Sequence, residues 1–247
     1  MTRKLCANIS NVILVLILTA IPLLPLITGI FASAAPEGVS ITFNDTYVPT
    51  PQGGTPITTV GGSFTTLALN LTQQTPRWKA YVGNLTGRFV LQDANNYSIY
   101  DWNTASVSGE VYATRNNSIQ WSAIRCANAT EIAAEEAFHN MTSTQPDTIN
   151  KTFNNTVHRG FFVGSTYIAN STCSAIATYV NGTAQAPSEN ADFQEVLLSD
   201  TNYLVWATLL EQDAQGYNNQ PFDFQMIVPE SEVKSSPTTY YFYAELS

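Results

Sequence analysis

Short stretches of alternating apolar and polar residues recur along most of this chain, and turn sequences separate them. Residues 67–71 alternate in this way, and the pair Asn181-Gly182, which favours a tight hairpin, follows a later stretch. Alternation with a period of two places one face of a strand against a core, and short strands at regular spacing are typical of antiparallel sandwiches. We therefore expect a mainly β fold, an antiparallel β-sandwich, over residues 63–247.

An uncharged apolar run occupies residues 12–31, with Arg3 and Lys4 ahead of it and the small residues Ala32-Ser33-Ala34 behind it. A basic start, an apolar block and an Ala-x-Ala sequence have the layout of a secretory signal peptide. We interpret residues 1–34 as that signal peptide. This predicts an extracellular or cell-surface location for the remainder of the chain.

The alternative for the same segment is a membrane anchor that is retained, because the run is long enough to cross the hydrocarbon layer. Pro22, Pro25 and Gly29 interrupt the second half of the run and favour cleavage instead. Both interpretations orient the chain alike. Contact with a membrane is expected only through residues 12–31, and only if they are not removed.

Residues 35–62 are rich in Pro, Gly and Thr, which predicts a linker or an extended arm ahead of the sandwich. Within this arm, Val39, Ile41 and Phe43 alternate with polar residues, so a short strand there would have one apolar face. Such a strand either folds back as an edge strand of its own domain or adds to the exposed edge of a neighbouring copy.

The polarity of the exported part depends on Ser, Thr and Asn more than on charge. The chain has 19 acidic and 10 basic residues, a formal net charge of −9. An acidic surface poor in lysine repels phosphate backbones, so we expect no nucleic-acid partner. Asn-x-Ser/Thr sequences, the acceptors of N-glycosylation, are frequent and predict a glycosylated surface. They lie at Asn44, Asn70, Asn84, Asn96, Asn116, Asn128, Asn140, Asn150, Asn154, Asn170 and Asn181.

Two of the three cysteines follow the signal peptide, because Cys6 is removed with it. Cys126 and Cys173 form an even pair in an oxidising compartment, which predicts a disulfide; two buried free thiols are the alternative. The bond would close an insertion, residues 126–173, that begins with a stretch rich in helix formers. Asn128 is placed to cap this stretch, so we expect one short helix in a disulfide-closed insertion.

The helix stretch also holds a grouping that resembles a metal site. Glu131, Glu135 and His139 are four residues apart and share a helix face, and Glu136 with His139 has the spacing of carboxylate-bridged metal sites. Such sites need ligands from further helices, so a solvated acidic face is the better interpretation. Phosphate-binding, zinc-binding and nucleophile motifs are missing from the sequence. We expect no catalytic residue, no metal, no cofactor and no enzymatic activity.

Aromatic residues offer one further candidate site. Trp78, Trp121 and Trp206 lie within apolar stretches, where a sandwich buries its large rings. Trp102 lies beside the polar turn that begins at Asp93. Because an exposed indole can stack on a sugar ring, Trp102 is the candidate ligand contact.

Five sequence strings stand together in an order that resembles a family of secreted surface proteins from small-genome archaea. They are WKAYVGNLTG at residues 78–87, YDW at 100–102, GEVYA at 109–113, DFQMIVPE at 223–230 and TYYFY at 239–243. The Asn-rich insertion between the two cysteines is also similar. The resemblance implies an exported, single-unit surface protein in an organism that N-glycosylates. It implies no catalytic residue, because the family has no assigned activity.

Two functional classes follow from these observations. The first is a structural or adhesive surface protein, including a subunit of a coat or filament, with self-association or a cell-surface partner. The second is an extracellular module that binds glycans or proteins. We favour the first, because the acceptors are spread over most of the chain and none follows Asn181.

Overall fold

The computed structural model of the protein describes residues 35–103, 108–232 and 237–247. The segment interpreted as a signal peptide or anchor, residues 1–34, lies outside these ranges. Within them, no helix combines the length and the apolar character needed to cross a membrane.

Fifteen strands, most of them short, make up the described fold. They are β1 (Glu37–Gly38), β2 (Trp78–Gly83), β3 (Arg88–Gln92), β4 (Ser98–Asn103), β5 (Gly109–Thr114), β6 (Arg125–Cys126), β7 (Phe161–Val163), β8 (Thr166–Ile168), β9 (Ala175–Ala177), β10 (Gln194–Ser199), β11 (Leu204–Leu209), β12 (Ala214–Gln215), β13 (Pro221–Phe222), β14 (Phe224–Pro229) and β15 (Tyr241–Leu246). The helices are α1 (Ala129–Phe138), the four-residue α2 (Ile149–Thr152) and a 3-10 turn at Trp121–Ala123.

The main sheet has the strand order β1-β15-β5-β11-β10-β6, and β9 also pairs with β10. Every pairing in it is antiparallel. The mainly β, antiparallel architecture expected from the alternating sequence is therefore confirmed.

Both faces of this sheet are covered, so that every residue of β5, β10 and β11 is buried. On one face, the antiparallel pair β2–β14 packs with α1 and α2 around Trp206, whose ring meets those of Trp78 and Phe153 at centroid distances of 6.0 and 5.3 Å. On the other face, the hairpin β7–β8 packs Phe161 and Val163 against the sheet. The two packed layers form the sandwich core.

The predicted disulfide between Cys126 and Cys173 is present. Cys126 lies in β6 and Cys173 lies just ahead of β9, and both short strands pair with the same edge of β10. The backbone of Leu197, in the middle of β10, bonds to both segments: its N–H donates to the Ser174 carbonyl and its carbonyl accepts from the Ala127 N–H. The disulfide therefore joins two edge segments that are too short to hold their place alone.

The helix expected in the insertion is α1, and it begins as the sequence predicts. The Asn128 side chain accepts from the N–H groups of Thr130 and Glu131, and the Glu131 carboxylate accepts from the Asn128 N–H, which completes a capping box. The second helix, α2, was not expected. Its cap is the Thr148 hydroxyl, which accepts from the Lys151 N–H.

Two stretches with an apolar pattern are not strands. Residues 67–71 are extended and exposed, and after the edge strand β1 the next strand, β2, begins only at Trp78. Residues 39–43 form no strand: the edge strand is Glu37–Gly38, and only the Val39 N–H still bonds to β15. Alternation describes the two faces of an isolated segment, but a strand also needs a partner for its backbone. Beyond the Val39 N–H, neither stretch pairs with a strand of the described sheets.

Candidate interaction surface

The first candidate surface is the exposed arm, which we define as residues 40–75. Before it, β1 pairs Glu37 with Ala244 and Gly38 with Tyr243, and the Val39 N–H donates to the Phe242 carbonyl. Beyond Val39 the arm leaves the sheet, and it has no strand in the described range. Its large apolar side chains all stand in solvent. They are Ile41, Phe43, Tyr47, Val48, Ile57, Val60, Phe64, Leu67, Leu69 and Leu71.

The second candidate surface is one face of the β3–β4 hairpin, which pairs with no other strand of the described sheets. In its register Phe89 lies opposite Trp102 and Leu91 lies opposite Tyr100. Directly opposed residues share a face, so these four side chains form one apolar surface, which we call the hairpin face. All four are exposed, and the rings of Tyr100 and Trp102 meet edge to face with centroids 4.9 Å apart.

Trp102, the predicted ligand contact, is therefore half exposed (50%) in an aromatic surface and not in the core. The opposite face of the hairpin carries the exposed ion pair between Arg88 and Asp101, at 2.8 Å. An isolated two-stranded hairpin is only marginally stable in water. The hairpin face is thus apolar surface that the described chain does not cover.

The turn at the tip of the hairpin is stabilised by the side chain of Asp93. The Asp93 carboxylate accepts from the N–H groups of Asn95 and Tyr97, both at 2.9 Å, and these bonds hold the pKa of Asp93 below its ordinary value. Asn96, a glycosylation acceptor, adopts a left-handed conformation at this tip (φ 65°). A glycan on Asn96 would stand at the opposite end of the hairpin from the Phe89–Trp102 pair.

All eleven acceptor asparagines lie at the surface. Ten of them are exposed and Asn116 is half-buried. Asn44 and Asn70 are on the exposed arm, near its two ends. Exposure is what an oligosaccharide on each of these side chains requires, and glycosylation itself stays a prediction.

The acidic face of α1 is not solvated as we had interpreted it. Glu135 is buried and accepts two bonds of 2.6 Å from Arg115, and His139 Nε2 lies 3.2 Å from the same carboxylate. Burial alone would raise the pKa of Glu135, but the bonds from Arg115 and His139 outweigh it and hold this pKa below the ordinary value. Glu131 is likewise paired with Arg125, at 2.6 Å. No group of three metal-ligating side chains occurs in the described residues.

A depression of about 260 Å³ lies between α1 and the β10–β11 turn. Arg115, Glu135 and Tyr203 are among the residues that line it. The guanidinium of Arg115 is already held by Glu135 and lies 3.4 Å from the ring centroid of Phe138. The charge of Arg115 in the depression is therefore already paired, which does not indicate a reactive group.

Sequence reasoning missed a pair of buried carboxyl groups. Glu110 of β5 lies directly opposite Glu245 of β15, and they are 6% and 3% exposed. In the sequence Glu110 alternates with Val111 and Ala113, which predicts a solvent-facing side chain. Glu110 is buried because the β7–β8 hairpin covers the second face of the sheet, and the residues around Glu110 do not indicate that a layer packs there.

The family models, the curated proteins and the solved structures that we compared with this chain include no match.

Proposed function

We propose that this protein is a non-enzymatic, N-glycosylated structural or adhesive protein of the cell exterior that self-associates through its exposed arm, as a subunit of a coat or filament. The observation that carries the proposal is the set of ten large apolar side chains that the arm leaves in solvent. Monomeric soluble proteins rarely expose so much apolar surface in one segment.

A partner that buried the apolar side chains of the arm would lower its free energy. Burying one large apolar side chain is worth about 1.5–3 kcal/mol, so even a few of the ten would offset much of the entropy lost on ordering the arm. The arm is extended and pairs with no strand of the described sheets, and such a segment can add to the edge of a sheet. A second copy supplies both an edge and an apolar hairpin face.

The positions of the acceptors support the same proposal. Residues 47–69 hold seven of the arm's ten exposed apolar side chains and no acceptor, because Asn44 and Asn70 lie on either side of them. On the hairpin, Asn96 is at the tip and leaves the Phe89–Trp102 pair accessible. Glycans at these asparagines would therefore border the two apolar surfaces without covering them.

The test is the assembly state of chains that start at Ala35. We expect the complete exported chain to form filaments or sheets in electron micrographs and to sediment as oligomers. A chain that lacks residues 35–62 should stay monomeric. Substituting Tyr47, Ile57 and Phe64 together by Ser should abolish assembly without loss of folding, whereas Thr58→Ser, at an exposed arm position, should leave it intact. A complete chain that is monomeric at every concentration would overturn the proposal.

The second candidate function is an extracellular module that binds glycans or proteins, and the hairpin face favours it. Exposed aromatic rings in a surface of this kind are suited to stacking on pyranose rings. We expect, on this alternative, binding on a glycan array that Trp102→Ala removes. Tyr179→Ala, which alters an exposed aromatic side chain elsewhere, is the matched control. Equal binding by both variants would exclude the hairpin face as the site.

Export, cell-surface location and the resemblance to archaeal surface proteins are parts of this proposal. Mass analysis of the protein from its native host tests them together, because it reports both the first residue and the glycans. An intact mass equal to that of the bare polypeptide would remove the glycosylation argument.

A further inference from the structure

The start of the exported chain lies beside the buried carboxyl pair. Because β1 and β15 are antiparallel and Glu37 is opposite Ala244, the preceding residue, Pro36, comes opposite Glu245. Glu245 is in turn opposite Glu110 on the next strand. Pro36 is buried, although it stands only one residue after the predicted cleavage point. The first residues of the exported chain are thus part of the sandwich.

Gly164 lies close to both Ala35 and the Glu245 carboxylate. The Gly164 N–H donates to both oxygens of Glu245, at 3.0 and 2.8 Å. A Cβ built on Gly164 would lie 3.7 Å from the Ala35 Cα, an ordinary van der Waals distance, so Ala35 lies close to the residue that binds Glu245. Gly164 has a φ of 55°, in the left-handed region, which brings its backbone this close without a side chain in the way.

The charges around this point are predominantly negative. Burial and the neighbouring Glu245 raise the pKa of Glu110 to about 8, although Arg159 acts to lower it. Arg159 also pairs with Glu211, at 2.8 Å. The Tyr112 hydroxyl donates to Glu245 at 3.4 Å. The further ionisable groups near this end of the strands are Glu37 and Tyr243.

We propose that cleavage between Ala34 and Ala35 creates a structural ion pair: the new α-ammonium group of Ala35 binds the Glu110–Glu245 carboxyl pair and fastens β1 to the edge of the sheet. The cleaving protease adds water across the peptide bond, with OH going to the Ala34 carbonyl carbon and H to the Ala35 nitrogen, which then takes a proton from solvent. Before cleavage this nitrogen is a neutral amide, so processing changes the charge at this place by one unit.

The segment that the ion pair fastens therefore lies directly before the arm that we propose for self-association. The ion pair holds residues 35–39 on β15, and the exposed arm starts directly after them. An ammonium–carboxylate contact is about twice as strong as a neutral hydrogen bond, and it is less screened where the carboxylates are buried. The inference depends on the cleavage part of the proposed function and not on self-association.

The test compares two chains with defined N-termini, one that starts at Ala35 and one with two additional residues, Gly-Ser, ahead of it. We expect the first to melt about 3 to 6 °C higher at neutral pH, in the range that an ion pair gives in a domain of this size. Its α-amino pKa, measured by NMR with a labelled first residue, should lie about one unit above the usual 7.7–8.0. In the extended chain the amino pKa should be ordinary.

Substitutions show whether the carboxyl pair is responsible. The α-ammonium group, once formed, favours the ionised form of Glu110 as well as that of Glu245. In both Glu245→Gln and Glu110→Gln the difference in melting temperature between the two N-termini should therefore shrink to about 1 °C or less; Glu110→Gln keeps the Gly164 bonds in place if Glu245→Gln folds poorly. Glu37 is an exposed carboxylate only two residues after Ala35, so Glu37→Gln is the control and should keep the full difference in melting temperature. An equal melting temperature for the two N-termini, an ordinary amino pKa in the chain that starts at Ala35, or a mature first residue other than Ala35 would overturn the inference. Each outcome is independent of assembly, which is scored separately.

Discussion

The central strands β5, β10 and β11 and the exposed arm are built from the same kinds of residue but meet opposite environments. Trp206, in β11, is 0% exposed, whereas Phe64, on the arm, is 93% exposed. Apolar character alone therefore did not decide burial; the presence of a second layer did. The comparison indicates a molecule whose core is complete without the arm and whose remaining apolar surface is available for a partner.

The largest expected effect comes from the core side of this comparison. Trp206→Ala should lower the free energy of unfolding by about 3–5 kcal/mol, because it empties a site packed by Trp78 and Phe153. Chemical denaturation measures the loss. The matched control is Trp102→Ala on the hairpin face, which should change stability by less than about 1 kcal/mol. Similar losses for the two variants would contradict the division into a complete core and an uncovered surface.

The disulfide should have the next largest effect. Replacing Cys126 and Cys173 together by Ser should lower the free energy of unfolding by about 2–4 kcal/mol, since the bond closes a loop between residues 47 apart and fixes two short strands on β10. Hydrogen exchange should show the loss of protection first at β6 and β9. Faster exchange that begins instead in β11 would mean that the bond supports the core and not its edge.

The contrast also explains how much of the fold could be predicted from the sequence. The strands β10 and β11, the Asn128 cap and the cysteine pairing could be predicted from β-branched and apolar runs, from a capping side chain and from an even number of cysteines after the predicted signal peptide. The exposure of residues 67–71 and the burial of Glu110 and Glu135 could not be predicted in this way, because each depends on how the layers pack on one another. Glu110 and Glu135 read as solvent-facing in the sequence, and the β7–β8 layer and Arg115 make them buried.

Of the candidate site, the sequence predicted the components but not their arrangement. Trp102 and the arm were identified from sequence, and the acceptors by their motif. The hairpin face required the register of β3 with β4, and the site at Ala35 required the pairing of β1 with β15, which joins residues at opposite ends of the chain.

A smaller effect is expected from the buried carboxyl group of Glu195, which the Ile227 N–H contacts at 2.9 Å. Burial raises its pKa well above the ordinary value, although the Ile227 bond acts to lower it. The folded state therefore holds its proton more tightly than the unfolded state does. The resulting stability is complete below the unfolded pKa, near 4.5, and declines as the pH rises towards the raised folded pKa.

Glu195→Gln, which imitates the protonated group, should remove this decline. We expect the loss of stability between pH 5 and pH 8 to be about 1–2 kcal/mol smaller in the variant, as measured by urea denaturation at both pH values. Glu232→Gln changes an exposed carboxylate and is the control that should leave the pH dependence unchanged. An unchanged pH dependence in Glu195→Gln would show that the carboxyl group ionises without cost in the core.

The smallest expected effect is also the most informative about the exposed arm. Phe64→Ser should change the unfolding free energy of the monomer by less than about 0.5 kcal/mol, because its ring contacts solvent in place of the core. Phe153→Ser, at a buried position, is the matched control and should destabilise the monomer strongly. If Phe64→Ser does destabilise the monomer, the arm folds onto its own sandwich and the self-association proposal loses its basis. If the substitution leaves the stability of the monomer unchanged and weakens oligomers in sedimentation experiments, then a second copy of the protein covers the apolar side chains of the exposed arm.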